Sequence, residues 1–136
     1  MENQIFQLQY ALDTFYLVIS GALVMWMAAG FAMLESGLVR AKNTTEILTK
    51  NIMLFAIACT MYMLFGYKLM YGGEGGLHAA VPFLSGITSN GLAQSDSYAP
   101  SADFFFQVVF VATAMSVVSG AVAERMKLWA FAAFAW

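Results

Sequence analysis

Twenty consecutive residues without a charge, Phe104 to Ala123, constrain this chain more than any other stretch. As a helix they rise ~30 Å, the thickness of a bilayer's hydrocarbon core. Asp103 stands at one end, and Glu124, Arg125 and Lys127 crowd the other. Phe106 and Phe110 are four residues apart, so on a helix they share one face. Ala112, Ser116 and Gly120 repeat at the same spacing and form a stripe on which another helix can pack closely.

The rest of the chain agrees with a membrane setting. It is 61% hydrophobic and 10% charged, with mean hydropathy +0.72. A soluble domain of this size carries roughly a quarter charged residues to coat its core. The net charge of −2 and the lack of a basic stripe exclude a nucleic-acid partner. Cys59 and His78 are the single cysteine and histidine. They support neither a disulfide framework nor a structural zinc site, and no cofactor is implied. No basic n-region precedes the first apolar run, so a secretory signal peptide is not evident.

In chain order, residues 1–14 form a mixed interfacial lead-in. Phe15 to Leu34 is a first span, again twenty uncharged residues. Gly37 can end it. The segment GLVRAKNTT is a short basic turn, in which Thr44 or Thr45 can cap the next helix and Glu46 suits its positive end. The second span covers about 51–71, between Lys50 and the tyrosines Tyr67 and Tyr71. Lys68, near its far end, reads as a lysine reaching the interface rather than a pore residue. An outer loop of Ser, Asn, Gly and Pro covers 72–102, where His78 reads as a solvated loop residue rather than a proton relay. The third span is 104–123. A fourth, 128–136, rises only about 14 Å and is incomplete, which reads as a fragment. Arg40, Lys42, Lys50, Arg125 and Lys127 lie in the turns between spans one and two and between three and four. The positive-inside rule places those turns in the cytoplasm and the N-terminus outside, in a multi-pass protein of the cell membrane.

Catalysis has little support. The spans hold no Ser/His/Asp set, no paired carboxylates and no phosphate loop, so the chain reads as no enzyme. Haem ligation lacks in-span histidines, and a voltage sensor lacks in-span basic repeats. Transport through a pore fits better. Phe106 and Phe110 can form an apolar constriction and offer ring faces to a small cation. On the residues alone, however, an aromatic girdle facing lipid is the stronger reading of the pair. Gln107 most simply hydrogen-bonds a neighbouring helix, and Thr113 its own backbone.

Read together, GFAMLESGLVRAKN (Gly30 to Asn43), FGYKLMYG (Phe65 to Gly72) and FFFQVVFVATAMSVVSGAVAERMK (Phe104 to Lys127) resemble the ammonium transporter family, the Amt/Mep/Rh proteins. The resemblance covers nearly the whole chain and about the first third of a family member. It implies an all-α fold, a polytopic transmembrane bundle of which this chain holds the first three of eleven spans and part of a fourth. It also implies two inverted repeats of five helices, a homotrimer and one pore per subunit.

In the family two stacked phenylalanines block the outer pore. The pattern F-Q-x-x-F places them at Phe106 and Phe110, with Gln107 between. The resemblance implies capture of ammonium by cation–π contact, deprotonation, and passage of ammonia through a lumen lined by two histidines. Those histidines belong to later helices, and His78 is in neither motif. Lys68 departs from the small or polar residue of the family segment. Ammonium or ammonia is the implied substrate, and a PII-type regulator on the cytoplasmic face an implied partner. The 136 residues alone are expected not to conduct. Members also act as ammonium sensors, alone or fused to an output domain. That is the alternative reading, and a kinase or cyclase extension would mark it.

Overall fold

The computed structural model describes residues 2–71 and 97–136, without the side chains of Lys68 and Tyr71. Five α-helices make up nearly all of it: α1 (Glu2–Leu38), α2 (Thr44–Met61), α3 (Tyr67–Tyr71), α4 (Pro100–Ala121) and α5 (Leu128–Ala135). A 3-10 turn, Ala41–Asn43, precedes α2, and a π-helical turn, Tyr62–Gly66, joins α2 to α3. Among the described residues there is no strand. Three helical stretches are long and apolar enough to cross a membrane: Glu2–Leu38, Ala41–Gly66 and Pro100–Ala121. The chain is a polytopic helical membrane protein.

The apolar runs set the helices, and local chemistry sets their ends. α1 holds no proline and runs unbroken through the lead-in at 2–14, so it is ~55 Å long and exceeds a bilayer core. At its end the Ser36 hydroxyl donates to the Met33 carbonyl at 2.8 Å, and Arg40 is extended. Asn43, not Thr44 or Thr45, occupies the N-cap of α2, and it makes no side-chain cap. Its amide is turned instead toward Glu124. Glu46 does lie in the first turn of α2. The hydroxyls of Thr49 and Thr60 bond carbonyls four residues back, which satisfies them within the apolar helix. The π-helical turn crowds Gly66 against the Tyr62 ring, leaving no room for a Cβ. α4 begins at Pro100, earlier than the uncharged run, because a proline at the first helical position loses no hydrogen bond. Residues 72–96 of the expected outer loop, His78 included, lie outside the described residues.

α1 packs most extensively on α4, and α2 next. The pairings fix the directions. The Ala99 amide donates to Thr14 Oγ1 at 3.1 Å. Gly21 faces the Phe105 ring, and Ser119 reaches Glu35. Partners thus advance together, so α1 and α4 run parallel. Asn51 meets Ser119 while Tyr62 meets Phe104, so α2 runs antiparallel to both. Gly21 permits the α1–α4 approach: a Cβ there would lie 2.7 Å from Phe105 Cε1 and 3.4 Å from the Phe106 Cα. Along the expected packing stripe, Ala112 and Ser116 are buried, and the Gly120 Cα faces Glu35.

Candidate functional site

Three consecutive phenylalanines on α4 point three ways, because successive helical residues turn by about 100°. Phe104 packs on Tyr62 and Tyr67, with centroids 6.0 and 5.4 Å away. Phe105 fills the space over Gly21 of α1. Phe106 pairs with Phe110 one turn on, their centroids 6.1 Å apart and their planes tilted by 37°. Phe106 is half-buried, and Phe110 is 51% exposed on a face that α1 and α2 leave open. Gln107, between them, is half-buried and engaged. The pair's spacing in the sequence therefore becomes a real ring contact on an uncovered face.

The same end of the bundle is an aromatic cluster. Tyr62, Tyr67, Val108 and Val109 are buried together, with Phe104, Phe105, Val24 and Phe55 against them. Asp103, in the first turn of α4, is buried beside these tyrosines, where the helix's positive end favours its charge.

The opposite end holds polar groups that the sequence reading left as span flanks. Glu35 and Lys50 are 3% and 5% exposed, and Lys50 Nζ lies 3.7 Å from Glu35 Oε2. Lys50 also donates to the Ser119 carbonyl at 3.1 Å. The Ser119 hydroxyl and the Asn51 amide donate to the same Oε2, at 2.9 and 3.3 Å. The other carboxylate oxygen, Oε1, is buried and has no hydrogen-bond partner among the described residues. Phe131, the buried residue of α5, places its ring 5.1 Å from Lys50 Nζ, a cation–π distance. One ion pair thus ties α1, α2, α4 and α5. Each charge is within a turn of an apolar run, which reads as an interfacial residue until the neighbouring helix is known. Thr113 behaves as read, its hydroxyl donating to the Val109 carbonyl at 2.7 Å.

A second, exposed layer lies beyond the first. Glu124 Oε1 accepts from the Arg40 amide (3.1 Å), Arg40 Nε (3.4 Å) and Asn43 Nδ2 (2.8 Å). These donors, the Arg40 amide foremost, hold the Glu124 carboxyl below its usual 4.5. Between the layers is a cleft of about 260 Å³, lined by Asn43, Glu46, Ile47, Lys50 and residues 124–128. An apolar groove of about 440 Å³ runs between α1 and α2, with Asn51 and Ser116 in its lining. Among the described residues no three His, Cys, Asp or Glu gather as metal ligands, and Cys59 is a half-buried free thiol.

Residues 15–136 match a family model, that of the Ammonium Transporter Family. The chain belongs to the ammonium transporter family. It is 42% identical, over 95% of its length, to a Synechocystis protein provisionally named an ammonium transporter, and covers 29% of that protein. It is 42% identical to ammonium transporter Amt2 of Archaeoglobus fulgidus over 85% of its own length and 24% of that protein's. For ammonium transporter Amt2 of Methanocaldococcus jannaschii the figures are 40%, 89% and 28%. The chain thus spans under a third of these transporters. No solved structure matches it.

Proposed function

We propose that the protein to which these residues belong conducts ammonium across the cell membrane as neutral ammonia, and that Phe106 and Phe110 guard the outer end of its path. The observation that carries this reading is the ring pair on the open face of α4, in a chain of the ammonium transporter family. Two stacked turns of ring offer π-faces to a cation and close the path to water behind it. Moving a bare cation onward through apolar surroundings is costly, whereas ammonia, having left its proton behind, crosses far more cheaply. Potassium carries no proton to shed and is refused by the same physics.

The basic turns, Arg40 with Lys42 and Arg125 with Lys127, support an orientation with those turns in the cytoplasm and the N-terminus outside. A homotrimer with one pore per subunit, and a PII-type regulator on the cytoplasmic face, complete the proposal from family likeness.

The test is uptake of labelled methylammonium by transporter-deficient cells carrying the full-length protein. Phe110→Ala removes a contact worth ~0.5–2 kcal/mol, so the apparent affinity falls roughly 2- to 30-fold. Discrimination against potassium falls with it. Unchanged affinity and selectivity in that variant would remove the assignment. The 136 residues alone give no uptake above empty vector, because they span so little of a transporter.

A further inference from the structure

We propose that Glu124 is a latch: its carboxylate holds the α4–α5 connector onto the α1–α2 turn and so keeps the connector drawn over the cleft above Lys50. The proposal is independent of what passes through the bundle.

Four observations carry it. All three donors from the α1–α2 turn converge on one atom, Glu124 Oε1. The latch therefore depends on a single carboxylate. Glu124 has φ 59, the left-handed region that residues with a Cβ avoid, and is the one such non-glycine residue among those described. The connector is thus bent where it meets the turn and relaxes if let go. Residues 124–128 form one wall of the cleft, and Ile47, only 5% exposed, lies in the other. Finally, the layer beneath is anchored separately: Lys50 remains fixed by Glu35, the Ser119 carbonyl and Phe131 when Glu124 lets go. The connector can therefore swing without the bundle coming apart.

The latch is also acid-sensitive by construction. The charged groups around the carboxylate are Arg40 from the turn, Glu46 and Lys50 of α2 across the cleft, and Arg125 and Lys127 on its own connector. Protonating Glu124 removes the negative charge that its oxygen presents to the three donors of the turn, and with it the attraction to Arg40. The connector is held over the cleft when Glu124 is ionised and swings away, widening the cleft, as pH falls through its carboxyl range.

The experiment uses the full-length protein in lipid nanodiscs, in a background without other cysteines. Amide hydrogen exchange at Arg40, whose N–H donates directly to Oε1, reports the latch. Labelling of Ile47→Cys by a water-soluble maleimide reports the cleft. In Glu124→Ala both rates rise about tenfold or more, the factor expected for losing a charge-assisted hydrogen bond. Amides in the middle of α2 and α4 keep their protection. In Glu124→Gln the acid dependence of Arg40 exchange, corrected for intrinsic rate, disappears.

Glu124→Gly separates the side chain from the backbone, because glycine accepts the left-handed conformation without a carboxylate. It widens the cleft as alanine does. An unwidened cleft in the glycine variant would place the restraint in the backbone and overturn the proposal. So would Glu124→Ala rates equal to wild type, or a rise spread through α2 and α4, which would mark general loosening.

Discussion

The Glu35–Lys50 pair yields the sharpest stability prediction. Lys50→Met keeps the length and apolar stem of the side chain and deletes its charge. Glu35 would then be an uncompensated carboxylate, 3% exposed, with Oε1 unpartnered among the described residues and Oε2 left to two neutral donors, Ser119 at 2.9 Å and Asn51 at 3.3 Å. Removing one member of a buried pair costs ~3–5 kcal/mol, and so little remaining support places this site toward the upper figure. Phe131 also loses its cation, about a further 0.5–2 kcal/mol. Replacing both charges, in Glu35→Leu with Lys50→Met, removes the desolvation cost as well. The double variant is therefore expected within ~1–2 kcal/mol of wild type. The double-mutant cycle, read by tryptophan fluorescence during denaturation in mixed micelles, gives a coupling of at least ~2 kcal/mol. Trp26, Trp129 and Trp136 supply the signal. Additive losses, or a Lys50→Met cost below ~1 kcal/mol, would refute the pairing.

Two further predictions concern the α1–α4 contact and the exposed layer. Gly21→Val drives branched carbons into Phe105, whose ring atoms already lie 2.7 and 2.8 Å from where a Cβ would be, so it costs ~1–3 kcal/mol and Gly21→Ala less. A neutral effect of valine in the same denaturation assay would contradict this close approach. Glu124 has a folded pKa below its usual 4.5, so its stabilisation is complete above that value and is lost as pH falls through the lowered one. The midpoint of thermal unfolding of the wild type should fall relative to Glu124→Gln as pH drops below about 4.5, and a constant difference between the two would reject the linkage.

What was legible in the sequence follows from length scales. An uncharged run of twenty residues leaves only helix in a bilayer, so the spans and the all-α bundle were readable directly. The Phe106–Phe110 contact was readable because i,i+4 geometry is local. Helix ends were less so. Nothing in the lead-in marks a break, and Pro100 read as loop although it opens α4. The π-helical turn at Tyr62 has no sequence signal beyond Gly66, whose missing side chain matters only once the Tyr62 ring is placed. Lys50 read as a turn residue at the edge of the second span, yet it is buried against Glu35. Their burial depends on which way α1 and α2 face, and on Ser119 arriving from α4, more than sixty residues further on. Likewise Asn43 looked like part of a polar turn until Glu124 claimed its amide.

The buried pair raises the question of why apolar helices should carry charges at all, when an apolar replacement would hold them as well. Helices in lipid have no hydrophobic force between them, and smooth faces slide at small cost. The α1–α4 face offers few shape-specific stops, chiefly Gly21 against Phe105. Polar contacts at defined atoms supply the others: Thr14 with Ala99 at one end, Glu35 with Ser119 and Lys50 at the other. We therefore predict that the double Glu35→Leu, Lys50→Met variant keeps its stability but loses its register. A Thr14→Cys, Ala99→Cys pair in a Cys59→Ser background reads this out, since the Ala99 amide sits 3.1 Å from Thr14 Oγ1 in the native packing. Oxidative crosslinking should be near complete with Glu35 and Lys50 in place and should fall several-fold without them. Equal crosslinking in the two backgrounds would mean that packing alone sets the register, and the charges would then need another explanation. A displaced α4 would carry Phe106 and Phe110 along the bundle axis by ~1.5 Å for each residue of slip, so the pair at one end depends on the ions at the other.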